Sequence, residues 1–321
     1  MQTDAVRVVL LAGGYGGAKM AHGFCLLGRP VELTVVGNTA DDLELHGLHI
    51  SPDLDTVMYT LAGLANPDTG WGVRDETWSA AAMLERYGAE TWFGLGDRDL
   101  ATHVRRTELL AAGLRLTEVT GELSRALGVS TRLLPVTDDR VRTQVRLADG
   151  WYGFQDYFVR RHHADDVLEL RFEGIADARP TAEVLEAIGS AQLIVIAPSN
   201  PFVSIGPLLA VAGVTEAMRA SAAQLVAISP IVAGAALRGP AEQMLRNLGH
   251  EPSAAGVARL YAERYPGLLD VFVLDRADEG LAPAVAAAGL SPRLGSSVMK
   301  VEGDRARLAA EVLELAGLPA W

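Results

Sequence analysis

The sequence is short of cationic charge, of cysteine and of long apolar runs, and each shortage removes a class of function. Lys and Arg number 28 against 40 Asp and Glu, a formal net charge of −12 over 321 residues. A nucleic-acid surface needs clustered Lys and Arg to neutralise phosphates, so no nucleic-acid partner is expected. A small anionic ligand remains within reach, through backbone amides, a metal ion and one or two arginines. Cys25 is the single cysteine, which rules out a disulfide within the chain and fits a reducing cytoplasm. It lies in an apolar helical stretch and reads as core. No apolar run approaches the ~20 residues of a membrane helix. The N-terminal stretch Met1–Leu11 lacks a signal-peptide layout. A cytoplasmic protein without a membrane partner is therefore expected. There is no G-x-S-x-G elbow and no Cys-His arrangement. No internal repeat, low-complexity tract or interdomain linker interrupts the chain.

What is present is the grammar of an α/β sheet. Hydrophobic residues make up 49%, enough for a large core. Val6–Leu11 and Val31–Val36 are continuous β-branched and Leu runs, as strands buried on both faces read. Between them Ala12-Gly13-Gly14-Tyr15-Gly16-Gly17-Ala18-Lys19 opens a helix. A strand, a glycine turn and a helix N-terminus form an anion site, because free amides and the helix dipole both favour negative charge. Neither standard motif is met. The P-loop needs Gly before its Lys and Ser or Thr after it, and the dinucleotide pattern would put Gly at Lys19. Gln192–Ala197, Leu225–Ile228 and Val271–Leu274 resume the parallel pattern, with Ser, Asn, Pro and Asp in the following turns. Ligands of doubly wound sheets bind at such carboxyl ends.

Other segments are predicted more locally. Thr91–Gly94 is predicted as a short strand ending in Leu95-Gly96-Asp97-Arg98-Asp99. Arg132–Pro135, Val141–Leu147, Tyr157–Arg161 and Val167–Phe172 are predicted as short strands of an antiparallel patch. One domain over 1–321 follows, with an inserted helical and antiparallel subregion at about 115–175. Arg160-Arg161-His162-His163 reads as a solvated strand end.

The unusual stretch is 35–56, which puts five carboxylates, two histidines and Asn38-Thr39 into what reads as one loop. Such a loop looks built for a divalent cation with a phosphate-bearing substrate. Ser51-Pro52-Asp53 then starts a helix, with Ser as N-cap and Pro at its first position. Asp53 and Asp55 lie about 200° apart on a helical wheel, so only one can face a given ligand.

These motifs, in this order, resemble the 2-phospho-L-lactate transferase family (CofD/FbiA). The residues that carry the resemblance are Gly13–Lys19, Asn38-Thr39-Ala40-Asp41-Asp42, His49–Thr56, Leu95–Asp99, Pro198-Ser199-Asn200-Pro201 and Ser229-Pro230-Ile231-Val232. It continues through Gly239–Ala241 and Ser253–Val257. It implies a Rossmann-like, doubly wound, mainly parallel sheet with a smaller α+β region, often as a homodimer. It implies a Mg²⁺-dependent step of coenzyme F420 biosynthesis. In that step the deazaflavin Fo attacks a guanosine diphosphate diester that carries a three-carbon acid, and GMP leaves. Under the resemblance Gly13, Gly14, Gly16, Gly17 and Lys19 hold donor phosphates, and Asn38 and Thr39 bind substrate in the part that serves metal and acceptor. Asp41, Asp42 and one of Asp53 or Asp55 hold Mg²⁺ or accept the hydroxyl proton. Arg98 orients the acceptor or stabilises charge. Ser199, Asn200 and Pro201 meet the nucleoside. Ala40 and Ala233 stand where the family pattern has Gly, and Arg238 where it has Lys. The alternatives are a regulatory nucleotide-sugar-binding protein of the same superfamily and an NAD-dependent dehydrogenase.

Overall fold

A computed structural model describes residues 5–28 and 30–318. Met1–Asp4 of the N-terminal stretch lie outside them. In chain order the strands are β1 (Val6–Ala12), β2 (Val31–Gly37), β3 (Leu43–Leu45), β4 (Leu48–Ile50), β5 (Arg132–Pro135), β6 (Arg142–Leu147), β7 (Gly150–Gly153), β8 (Glu169–Glu173), β9 (Leu193–Ile196), β10 (Gln224–Ile228), β11 (Ile231–Val232), β12 (Ala235–Ala236), β13 (Val271–Asp275) and β14 (Ser291–Gly295). The first helices are α1 (Gly14–Cys25), α2 (Pro52–Leu61), α3 (Ser79–Arg86), α4 (Asp97–Ala111) and α5 (Leu116–Ala126).

Seven strands form one sheet, ordered β14-β13-β10-β9-β1-β2-β5, and every neighbouring pair is parallel. The order reverses between β1 and β9, which makes the crevice beyond their carboxyl ends the place for a ligand. The predicted doubly wound α/β class is the one observed. The β1 run is buried on both faces. Val9 and Leu11 enter one core cluster, and Val8, Leu10 and Ala12 enter the other. Alternation along a strand requires this division. Helices α1 and α2 and the helix Glu302–Leu315 pack together over the second face. Gly23 lets α1 meet that last helix, since a Cβ there would lie 2.3 Å from the Arg305 carbonyl oxygen.

Several local predictions are corrected. Arg132–Pro135 is not in the antiparallel patch; β5 pairs with β2 at the edge of the main sheet, with Leu133 and Leu134 buried. Helix α5 packs on it, so the inserted subregion is narrower than 115–175 and centres on the antiparallel order β7-β6-β8. Tyr157–Arg161 is no strand. Asp156–Arg160 winds into a π-helical turn, with the Arg161 amide reaching the Asp156 carbonyl at 2.9 Å. That winding stacks Phe154 on Phe158 with centroids 5.5 Å apart. Thr91–Gly94 has no strand partner, and Trp92 and Phe93 pack edge to face instead. β14 escaped the reading because Ser-Pro-Arg-Leu-Gly lacks strand composition; its Pro292 is tolerated on an edge strand. Cys25 is exposed rather than core, at the last turn of α1, with Sγ 3.3 Å from Thr131 Oγ1. Ala233 holds φ at 51°, the left-handed conformation that suits glycine. Among the described residues no helix is long and apolar enough to cross a membrane.

Gly16 fixes how closely α1 meets the turn after β9, because a Cβ there would lie 2.4 Å from the Pro198 carbonyl oxygen. Gly16→Ala is expected to cost about 1–3 kcal/mol, as overpacking does, read as a lower midpoint in urea unfolding at unchanged slope.

Candidate active site at the switch point

Asn38 follows directly on β2 and is fully buried. Its side-chain oxygen accepts the Ala40 amide at 3.0 Å, which bends the chain before Asp41 and Asp42. Its amide nitrogen donates to Asp53 Oδ2 at 2.9 Å and to the Val203 carbonyl at 3.1 Å. One side chain thus ties together the turns after β2 and β9 and the start of α2. The stretch 35–56 is not a single loop. β3 and β4 form a hairpin, turned by His46 and Gly47, whose φ values of 54° and 73° are those of a type I′ turn. The hairpin folds Ser51 back onto Asp42. Asp42 Oδ2 accepts the Ser51 hydroxyl at 2.8 Å and faces His49 Nε2 at 2.9 Å. Ser51 therefore makes no side-chain cap on α2, against the sequence reading, while Pro52 opens the helix as predicted.

Asp53 and Asp55 take different partners, although both line the same cavity, against the expectation that only one would face it. Asp53 Oδ1 accepts the Gly14 amide at 2.8 Å, the first free donor of α1. An amide predicted to cradle phosphate is thereby answered by the protein's own carboxylate. Asp55 turns away to Arg106, which reaches both of its oxygens, with Nη1 3.0 Å from Oδ2. Arg106 Nη1 also lies 3.1 Å from His103 Nδ1. Guanidinium only donates, so this Nδ1 carries no proton and the ring N–H sits on Nε2. That nitrogen lies 3.2 Å from Asp99 Oδ1 without forming a hydrogen bond, and the same oxygen accepts the Tyr59 hydroxyl at 2.8 Å.

Neither Arg98, the arginine picked out from the sequence, nor Arg106 lines the cavity. Arg98 is exposed, donates to the Arg74 carbonyl at 3.1 Å and is not on the cavity wall. Its neighbour Asp97 accepts the Ser79 and Ala80 amides at 3.1 and 2.9 Å and so holds the start of α3. Arg106 was missed, although it is 2% exposed. The signal for it was spacing: Asp99, His103 and Arg106 fall at i, i+4 and i+7 of α4 and share the buried face.

Burial dominates the electrostatics. It pushes the Asp53 carboxyl up to about 6, against the hydrogen bonds from Asn38 and Gly14, and the charge of Asp42 adds to the rise. Asp41 is pushed well above the usual carboxylate range, first by burial and then by Asp53. Asp55 is raised by burial and held back by Arg106. Asp41 Oδ1, Asp42 Oδ1 and Thr39 Oγ1 are buried without a hydrogen-bond partner. Orphaned carboxylate oxygens of this kind suit a cation. Among the described residues no three His, Cys, Asp or Glu side chains gather closely enough to cage a metal alone. Mg²⁺ does not need such a cage, since it takes one or two carboxylates together with water and substrate oxygens.

Asp41, Asp53, Asp55 and Asp99 all open onto a cavity of about 840 Å³ at the switch point. One end is cationic. Both lysines of the chain, Lys19 and Lys300, line it with Arg238. Lys19 Nζ donates to the Met299 carbonyl at 2.7 Å and lies over the Tyr15 ring, as Arg238 does. Burial, then Arg305 and Arg238, pull the Lys19 ammonium below its ordinary range. The other end is aromatic, with Trp92, Phe93, Phe154 and Phe158. His162 of the supposed solvated cluster also reaches this wall. Gly13, Gly14 and Gly16 line the cavity, and Gly17 instead backs onto Ala12. Ser199 and Asn200 line it too, but their polar groups shape the turn: Ser199 Oγ donates to the Gly13 carbonyl at 2.7 Å, and Asn200 Oδ1 accepts the Phe202 amide at 2.9 Å. Pro201 is buried off the wall.

Fold and site together define a doubly wound α/β protein whose switch-point crevice joins a cationic end, a carboxylate wall and an aromatic end. Residues 8–314 match the model of the family described as 2-phospho-L-lactate transferase CofD. The chain is 45% identical over 317 residues to a phosphoenolpyruvate transferase of Kitasatospora aureofaciens, covering 97% of this chain and 98% of that protein. It is 41% identical over 340 residues to one of Mycobacterium avium, covering 98% and 99%. The crystal structure of a UPF0052 family member from Bacillus halodurans superposes with a TM-score of 0.63 at 18% identity, covering 97% of this chain and 99% of that one. The chain belongs to the CofD family and is a transferase.

Arg106→Met leaves Asp55 buried without its partner. The expected loss is about 3–5 kcal/mol, with most of it recovered in the Asp55→Leu, Arg106→Met double variant. A raised carboxyl is neutral below its folded pKa, so stability is retained at low pH and lost as pH rises. Urea unfolding of the single variant should therefore show a smaller deficit at pH 5 than at pH 8.

Proposed function

We propose that the protein transfers a phosphoenolpyruvyl or 2-phospholactyl group from a guanosine diphosphate diester to the terminal hydroxyl of Fo, forming dehydro-F420-0 or F420-0 and releasing GMP. One observation carries this reading. Buried carboxylates, among them Asp41 with an unpaired oxygen, line one cavity together with Lys19, Lys300 and Arg238 and with Trp92, Phe93, Phe154 and Phe158. The cationic end suits a diphosphate and the aromatic end a flat heterocycle. The relatives named as phosphoenolpyruvate transferases support the three-carbon acid.

In the proposed step the Fo hydroxyl oxygen bonds to the phosphorus that carries the three-carbon acid. The bond from that phosphorus to the bridging oxygen breaks, and GMP departs with that oxygen. The hydroxyl proton passes to a carboxylate, with Asp41 and Asp53 on the wall to take it. A carboxylate whose pKa is raised is a better base for this task than one in water. Lys19, Lys300 and Arg238 balance the donor's charge. Asp41 and Asp42, with Asp53 beside them, would hold Mg²⁺, which supplies charge neutralisation for phosphoryl transfer.

Incubation with Fo, Mg²⁺ and each guanylyl donor should release GMP; no release with any donor would remove the proposal. Asp41→Asn should lower turnover by about 10²–10⁴ while leaving thermal stability equal or higher, because it removes a buried charge. Equal losses in both would return Asp41 to a structural role. Asp53 is ionised only above its raised value, so Mg²⁺ binding measured calorimetrically should weaken as pH falls through about 6.

A further inference from the structure

A second cavity, of about 250 Å³, lies on the other side of Asp41, which lines both. Its floor is the start of β6. The Thr143 amide donates to the Ala40 carbonyl at 2.7 Å, and Val141 packs on Ala40 and Ala178. These contacts pin Arg142 beside the acidic turn. Arg142 is 9% exposed, yet the hydrogen bond found for its guanidinium among the described residues goes to the Val141 carbonyl, at 2.8 Å. Of the acids on this wall, Asp41 and Asp42 each keep Oδ1 without a hydrogen-bond partner, and none of the acids pairs with Arg142. Asp42 faces His49 and Ser51, Glu44 lies 3.9 Å from Arg140, and Asp156 lies 3.4 Å from Arg160. No carboxylate comes within ion-pair distance of Arg142 among the described residues, and burial pulls its cation below the ordinary range. A buried guanidinium with open donors facing a small cavity is half of a bidentate anion site.

We infer that Arg142 receives the carboxylate of the transferred three-carbon acid in this second cavity. The inference rests on the proposed transfer. A short ester linkage separates that carboxylate from the phosphorus, so the acid can reach past Asp41 while its phosphorus stays in the main cavity. The pairing neutralises Arg142 and offsets the acid's charge where it passes Asp41. The antiparallel insertion then selects the acid, while the parallel sheet holds the nucleotide and acceptor.

The test compares two guanylyl donors, the phosphoenolpyruvate diester and the carboxylate-free diester of propan-2-ol. Arg142→Met should lower kcat/KM for the first by about a hundredfold and change the second by less than about threefold. Arg142→Lys keeps the charge without the fork and should fall between, and it serves if Arg142→Met does not fold. Equal losses on both donors, or no loss on the first, overturn the assignment. A binding arm needs no turnover. By calorimetry Arg142→Met should weaken free phosphoenolpyruvate about a hundredfold and leave inorganic phosphate unchanged. If the wild type releases GMP from neither donor, the transfer reading fails while this arm still decides the carboxylate site; equal weakening of both anions would overturn it.

Discussion

The site depends on one buried side chain meeting one helix end. Asp53 accepts from the Gly14 amide and from Asn38, so the strand-end turns after β1 and β2 cannot separate without leaving an anion unpaired in the interior. Asn38 extends the tie to Val203 in the turn after β9. The same bonds hold the crevice in shape and hold a charge inside it. The helix dipole and two donors favour that charge, and desolvation opposes it more strongly, which is why the Asp53 carboxyl stands at about 6. A site that keeps carboxylates half-committed to ionisation is primed for a cation or a proton.

The two buried acid systems divide the work. Asp55, Arg106, His103, Asp99 and Tyr59 form a network in which both oxygens of Asp55 meet Arg106 and the Tyr59 hydroxyl meets Asp99, while Arg106 Nε and His103 Nε2 keep no hydrogen-bond acceptor. It anchors α2 to α4. Asp41 and Asp42 keep unpaired oxygens instead. Unpaired buried oxygen is costly unless something comes to answer it, so the two systems are distinguished by what they still lack. The sequence places Asp41, Asp42 and Asp55 in one short stretch; only folding separates them.

The sheet was legible because strands buried on both faces have a composition of their own, as Val6–Leu11 and Gln192–Ala197 do. The acidic stretch was legible as chemistry but not as geometry. The β3–β4 hairpin turns on His46 and Gly47, and short strands flanked by charges leave no periodic signal. Arg98 drew notice by standing beside a predicted strand end, yet that strand does not form. Arg106 looked like one more charge on a charged helix, because a sequence does not show which charge a helix turns inward. Tyr157–Arg161 has strand composition, and its aromatic stacking at i, i+4 overrides the local preference.

Ala40 and Ala233 stand where the resemblance led to an expectation of Gly, and the structure makes the two positions physically different. Ala40 is 2% exposed, with its carbonyl bonded to Thr143 and its methyl packed against Val141. The methyl is therefore part of the contact that seats β6 on the acidic turn. Ala233 takes a left-handed conformation that glycine adopts freely, and its amide is fixed by Asp278 at 3.0 and 3.1 Å. One substitution gains packing at the carboxylates. The other carries backbone strain of about 1 kcal/mol in the β11–β12 turn, which leads to the Arg238 wall of the main cavity. Strain at that turn persists because Asp278 holds it, so the acidic contact behind the hairpin helps set where Arg238 stands.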